Sequence, residues 1–277
     1  MDKTGVYGFL LIIVNLIFSY KGFTNGLFFD SYKFEVDKIL VNKDYKRIIT
    51  SGFLHVGWTH LIFNMISLYA FSGILENQIG GAKFLLVYFA SLIGGDILSL
   101  FVHRNHGDYS AVGASGAISG IIFASIALFP GMGIGFFGLP FSIPSWLYGL
   151  IYILYSIYGI KSSKENIGHD AHLGGALIGM TIAMLLEPYA FIENYITILV
   201  IFIPSILFIY LIVTRPQILL IDSFYFKNHK NHYSVDHKYN ADKNAKQSEI
   251  DKILDKINKN GIDSLSIKEK EKLNQYS

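Results

Sequence analysis

Seven apolar stretches crowd the first 213 residues, at 5–20, 54–75, 84–102, 115–129, 146–160, 171–186 and 196–213. Crossing the hydrocarbon of a bilayer takes about 20 apolar residues of helix, and fewer where a helix starts below the surface. In that medium every backbone N–H and C=O must find its partner inside the protein, so such segments fold as α-helices. The expected class is an all-α polytopic membrane protein. The first stretch has no extended basic leader and no small-residue cleavage site, and it reads as a retained span.

Hydrophobic residues make up 52% of the chain, but charges are scarce over about the first 220 positions and dense beyond them, so the chain has two parts. There is no cysteine, which excludes a disulfide framework, a thiolate nucleophile and a cysteine-based zinc site. The net charge is +2, and the lysines of the tail alternate with acids; neither feature suits nucleic acid as a partner. Segment 21–53 mixes Phe23, Leu27, Phe28, Phe29, Tyr32 and Phe34 with lysines and aspartates, as expected of a partly folded element in the membrane interface. Segment 131–145 is uncharged and rich in Gly, Pro and Phe, which predicts a turn-rich loop. Residues 216–226 are apolar and aromatic and suit the interface, whereas 227–246 reads as a linker. Beyond it, Ile250, Ile253, Leu254 and Ile257 recur at helical spacing behind Ser248, and Gly261 ends that helix. Ser266 with Glu269 forms a capping box for a second helix, so the chain closes on a small helical hairpin whose partner the sequence does not name.

Two of the apolar stretches each carry one polar residue of a reactive type in a run of small residues. Ser115 lies in Gly113-Ala114-Ser115-Gly116, and His172 in Ala171-His172-Leu173-Gly174-Gly175. A hydroxyl becomes a nucleophile only with a base in hydrogen-bond reach, and small neighbours let two helices approach closely enough to provide one. Taken alone, a serine on an apolar helix is a packing residue, which is the reading for Ser119 and Ser125, and a lone histidine is a structural hydrogen-bonder. The conjunction changes that. His172 shares a helix face with Gly175, Ala176 and Gly179, and His60 shares one with Asn64, four residues on. Ser115 opens the fourth stretch, where free helical amides and the positive dipole end favour an oxyanion. An ionised residue at mid-span costs about 2.5–3.5 kcal/mol, which a neutral imidazole avoids, although it still needs hydrogen-bond partners.

These motifs resemble the rhomboid family of intramembrane serine proteases, over roughly residues 5–187 and six of the seven stretches, in family order. The resemblance implies a rhomboid-like six-helix core with a seventh C-terminal helix. The expected division is a catalytic core at 1–190, an additional hydrophobic helix at 191–214, an interfacial stretch and polar linker at 215–246, and a helical hairpin tail at 247–277. Ser115 would be the nucleophile and His172 the general base of a dyad without an acid. His60, Asn64 and the backbone N–H of Ser115 would form the oxyanion hole. Gly113, Gly116, Gly175 and Gly179 would support the site by close packing, and Arg47 and Glu76 would be structural, as would His55. Two departures stand out. Lys46 occupies the place of a family tryptophan, and Ser119 stands where many members carry an aromatic residue against the catalytic histidine. The resemblance assigns no role to His169 or Asp170.

The implied activity is endopeptidase cleavage of transmembrane segments of membrane proteins through an acyl-enzyme, with no metal and no cofactor. Water must reach the site, so it opens to one aqueous side, the extracytoplasmic one by resemblance. The partners are transmembrane substrates and the lipid bilayer, and the expected location is the plasma (inner) membrane of a bacterium. The loop 161–168 and the fifth stretch are the expected gate. Two other classes compete: a metal transporter using His55, His60, His169, Asp170 and His172, and an inactive relative that binds transmembrane clients. Whether the seventh stretch crosses or lies in the interface stays open at this stage.

Overall fold

The computed structural model of the protein describes residues 5–135, 141–162 and 168–214, with positions 253, 256, 257, 264–266 and 269 of the tail. The chain forms two compact units, Met1–Tyr225 and Phe226–Ser277. In the first unit each of the seven apolar stretches is a helix. The chain runs through α1 (Val6–Thr24), α2 (Gly26–Tyr32), β1 (Phe34–Glu35), α3 (Val36–Leu40), α4 (Arg47–Thr50) and a 3-10 turn at Ser51–Phe53. It continues through α5 (Trp58–Ile79), α6 (Gly81–Val102), β2 (Ser110–Ala111), α7 (Ser115–Leu128), β3 (Gly133–Gly135) and β4 (Ser142–Pro144). The last helices are α8 (Ser145–Ser162), α9 (His169–Leu186) and α10 (Pro188–Thr214). Among the described residues, α1, α5, α6, α9 and Pro188–Ile212 of α10 are long and apolar enough to cross a membrane, while α7 and α8 are shorter. The protein is an all-α polytopic membrane protein.

The core is organised around α7. A helix that is apolar on every side is stable only when it is covered on every side, and every residue of α7 from Gly116 to Ala127 is buried. Its contact with α9 is backbone on backbone: a Cβ on Gly175 would overlap the carbonyl oxygen of Gly116, and one on Gly179 would overlap Gly120. Small residues permit this approach, which is the packing mode available where lipid tails are as apolar as leucine. On the other side α1 begins beside α5. The carboxylate of Glu76 accepts from the N–H groups of Tyr7 (3.2 Å) and Gly8 (3.0 Å), two of the amides that a helix start leaves without an intrahelical partner.

Segment 21–53 is a packed element. Phe34, Val36 and Ile39 are fully buried, and β1 pairs antiparallel with β2 through Phe34–Ala111 and Glu35–Ser110. Asn25 caps α2 by accepting from the N–H of Phe28 at 3.0 Å. The guanidinium of Arg47 is buried and gathers the loop: it donates to the carbonyls of Asp30 and Lys33 (2.8 Å each) and to Asp44 (2.9 Å). Segment 131–145, expected as a turn-rich loop, contains a hairpin, with Gly133, Ile134 and Gly135 paired to Pro144, Ile143 and Ser142.

The seventh helix corrects the expected limits. Helical structure starts at Pro188 rather than 196 and is kinked at Asn194 (φ −114°, ψ 18°), where two helices meet. The break has a cause: the Asn194 amide turns out of its helix and donates to the carbonyl of Ala127 at 2.9 Å, one of the last carbonyls of α7. Beyond the break, Ile198, Ile201, Phe208 and Ile212 are buried in the same apolar core, so α10 packs along its length. In the second unit, described by itself, Ser266 and Glu269 form the expected capping box: the Ser266 N–H donates to Glu269 at 2.7 Å and the Glu269 N–H to Ser266 Oγ at 3.4 Å. Residues 215–246, Ser248 and Gly261 lie outside the described residues.

Candidate active site

Ser115 is the first residue of α7, where the helical N–H groups lack intrahelical acceptors. The chain reaches it through Gly113, whose φ of +135° belongs to glycine, and which is anchored by its N–H donating to the carbonyl of Ser51 at 3.1 Å. With β2 tied to β1 just upstream, the start of α7 is held by the 21–53 element. His172 lies one turn into α9, opposite the start of α7, and its Nε2 is 2.6 Å from Ser115 Oγ. For the hydroxyl to donate, Nε2 carries the lone pair and Nδ1 the proton. The backbone contact of α7 and α9 at Gly116–Gly175 and Gly120–Gly179 sets this separation.

His60, in the first turn of α5, brings its Cε1–Nε2 edge to the same place. A Cβ on Gly113 would lie 2.8 Å from His60 Cε1, 3.0 Å from its Nε2 and 3.6 Å from Ser115 Oγ. A larger residue at position 113 would therefore push His60 away, which is a second reason for glycine there. Asn64 lies one turn further along α5, with Nδ2 donating to the carbonyl of His60 at 3.0 Å. In this arrangement one of its amide hydrogens serves its own helix, leaving the other for a ligand.

The remaining candidates are placed apart from the dyad. His55 is fully buried: Ser19 Oγ donates to the carbonyl of Phe53 (3.0 Å), so the 2.8 Å contact is a donation from His55 Nδ1 to Ser19. Burial, with a smaller contribution from nearby His60, pushes His55 down to about 3, and it stays neutral. Asp170 pairs with Nε2 of His103, just past the end of α6, at 3.1 Å. The ring of His169 stands edge-on to His172, with centroids 6.0 Å apart. Among the described residues no three His, Asp or Glu side chains converge into a metal-binding group. Arg47 hydrogen-bonds to backbone in the first loop and to Asp44, and Glu76 to backbone at the start of α1. Of the expected gate, residues 163–167 lie outside the described residues.

One residue escaped the sequence reading. The place expected to lack an aromatic group, because position 119 is serine, is occupied from α8: Tyr152 lies with its ring 6.2 Å from His172 at 30°. Ser119 donates its one proton to the carbonyl of Ser115 (2.7 Å), so the 2.7 Å contact with Tyr152 is a donation from the phenol to Ser119. Nothing in the run of tyrosines at 148, 152, 155 and 158 distinguishes the one that faces the site.

Comparison with known proteins matches residues 42–189, more than half of the 277, to the family described as Rhomboid domain. The chain belongs to the rhomboid family. It is 45% identical over 82 residues to the putative rhomboid protease YdcA of Bacillus subtilis, covering 30% of this chain and 40% of that protein. It is 26% identical over 193 residues to RHOMBOID-like protein 12, mitochondrial, of Arabidopsis thaliana, covering 64% and 56%. To Rhomboid protein 1, mitochondrial, of Saccharomyces cerevisiae it is 30% identical over 156 residues, covering 54% and 45%. The chain spans about half the length of the curated relatives it matches. Residues 233–277 match a second family, one of unknown function.

Proposed function

We propose that this chain is an intramembrane serine endopeptidase that cleaves transmembrane segments of membrane proteins with a Ser115–His172 dyad. The observation that carries the reading is the 2.6 Å contact between Ser115 Oγ and His172 Nε2 at the start of a buried helix. Oγ attacks the scissile carbonyl carbon as Nε2 takes its proton. The oxyanion develops beside the first N–H groups of α7, the Nε2 edge of His60 and the free amide hydrogen of Asn64. The C–N bond breaks as His172 returns the proton to the leaving amine, releasing the C-terminal part of the substrate. Water then attacks the acyl ester with His172 again as base, and Ser115 is regenerated. All these groups come from the chain itself, so the reaction calls on no cofactor. Gly113, Gly116, Gly175 and Gly179 keep the three helices at working distance, while Arg47 and Glu76 hold the surrounding scaffold.

Residues 1–190 form the catalytic core in this reading, 191–214 the added helix, 215–246 an interfacial linker and 247–277 a helical tail. Substrates are helices that unwind locally, since an intact helix hides its carbonyls. They enter past α8. The proposed location is the plasma (inner) membrane of a bacterium, although the relatives include mitochondrial proteins as well as one from Bacillus subtilis. The test is cleavage of a generic transmembrane substrate by purified protein in liposomes, with and without a chelator. Chelator-resistant cleavage that disappears in both Ser115→Ala and His172→Ala is expected. Cleavage that survives Ser115→Ala overturns the dyad.

A further inference from the structure

A general base on a helix has to hold one ring nitrogen near 3 Å from its hydroxyl against rotation about two side-chain bonds. The rings beside His172 differ in what they can do about this. His169 stands edge-on at 72° with centroids 6.0 Å apart, whereas Tyr152 is tilted by 30° beside the imidazole with centroids 6.2 Å apart. Tyr152 is itself held in place. Its ring packs against Phe123 of α7 (centroids 5.5 Å apart) and Tyr148 of α8 (6.0 Å apart). Its phenol donates to Ser119 Oγ at 2.7 Å, and Ser119 donates at 2.7 Å to the carbonyl of Ser115. A chain of hydrogen bonds therefore starts beside the base and ends on the backbone of the nucleophile, so that one residue, Ser115, is the reference point for both. The small side chain at 119 leaves room for the phenol to approach.

We infer that Tyr152 is a positioning residue for His172: its ring confines the imidazole from the α8 side, and the bond to Ser119 registers that ring against α7. The inference rests on the reading of Ser115 and His172 as the dyad. It also accounts for the serine at 119, since the aromatic group comes from the neighbouring helix rather than from α7. It gives α8 a part in the chemistry, because a displacement of α8 would carry the ring away from the base.

The experiment compares wild type, Tyr152→Phe, Tyr152→Ala, Ser119→Ala and the double variant Tyr152→Ala with Ser119→Phe, all in liposomes. It reads kcat and KM for a transmembrane substrate, the rate of fluorophosphonate labelling, and the melting temperature. Loss of the ring in Tyr152→Ala is expected to lower kcat about 100-fold, the scale of a misplaced base, with KM within about twofold. Tyr152→Phe and Ser119→Ala keep the ring and lose the tether, and each should cost about fivefold in kcat. The double variant returns an aromatic ring from α7 and should recover about tenfold of the loss, a coupling between neighbours that a purely structural role would not produce. A folded Tyr152→Ala with kcat within about twofold of wild type, or a folded double variant that recovers nothing, overturns the inference. Should Tyr152→Ala fail to fold, wild-type kcat in both Tyr152→Phe and Ser119→Ala overturns it. A wild type that the fluorophosphonate does not label overturns the dyad itself, and that result is distinct from the others.

Discussion

The two neighbours of α7 that bear on the dyad hold it in opposite ways. Against α9 glycine faces backbone at Gly175–Gly116 and Gly179–Gly120. Against α8 the contact is made by side chains, with Tyr152 bonded to Ser119 and the methyl ends of Ile126 and Ile201 filling the space beside Gly149. A backbone contact has no rotamers with which to adapt, so it sets the Ser115–His172 distance rigidly. A side-chain contact can adjust, which suits the helix that lies next to the proposed entry. The first loop resembles the α8 contact in kind, being held by Arg47 and by the His55–Ser19 bond.

Substitutions at the two contacts should separate them, and the largest effect belongs to the backbone contact. Gly175→Leu places a side chain where the Gly116 carbonyl stands, and it should cost about 4 kcal/mol or more and abolish fluorophosphonate labelling. Unfolding in denaturant checks the first part and gel fluorescence the second; a stable, labelled Gly175→Leu protein would break the comparison. Next comes Arg47→Ala, which leaves the carbonyls of Asp30 and Lys33 without their buried donor and should cost about 2 kcal/mol, measured as a lowered melting temperature with labelling retained.

A pH series tests the first loop through His55. In the folded protein His55 stays neutral down to about pH 3, whereas in the unfolded chain it takes up a proton below 6.5. Its contribution is therefore full above pH 6.5 and shrinks as pH falls towards 3, by about 1.4 kcal/mol per pH unit. The slope of stability against pH should be shallower by that amount in His55→Asn than in wild type. The smallest effect is expected at the adaptable contact. A Cβ on Gly149 meets the terminal carbons of Ile126 and Ile201, at 2.9 and 3.1 Å, and the Phe123 ring at 3.5 Å. Gly149→Ala gains helix propensity while displacing those ends, so its stability should lie within about 1 kcal/mol of wild type. A loss as large as that of Gly175→Leu would erase the distinction.

What was legible in the sequence follows the same division. Helices driven by long apolar runs were readable, because lipid forces backbone hydrogen bonding inside each run. Their limits were less so: α5 begins at Trp58 rather than 54, after the loop that carries His55, and α10 begins at Pro188 rather than 196, with a kink at Asn194, whose amide caps α7. The approach of Ser115 to His172 was readable because glycines and alanines beside each residue announce a close helix crossing. The phenol of Tyr152 was not, since it meets Ser119 across 33 residues of sequence and carries no local signal. The pairing of β1 with β2 was equally silent, two residues on each side being too short for a period. Asn64 was expected to donate to the oxyanion hole, and its bond to the His60 carbonyl could not be seen from spacing alone.

The most direct measurement is the site of covalent capture. Wild-type protein in liposomes is treated with a fluorophosphonate, digested and sequenced by mass spectrometry, alongside His172→Ala. Modification confined to Ser115 and lost when His172 is replaced is the predicted result. Modification at another serine, or undiminished capture in His172→Ala, would contradict a dyad built from the first residue of α7 and the first turn of α9.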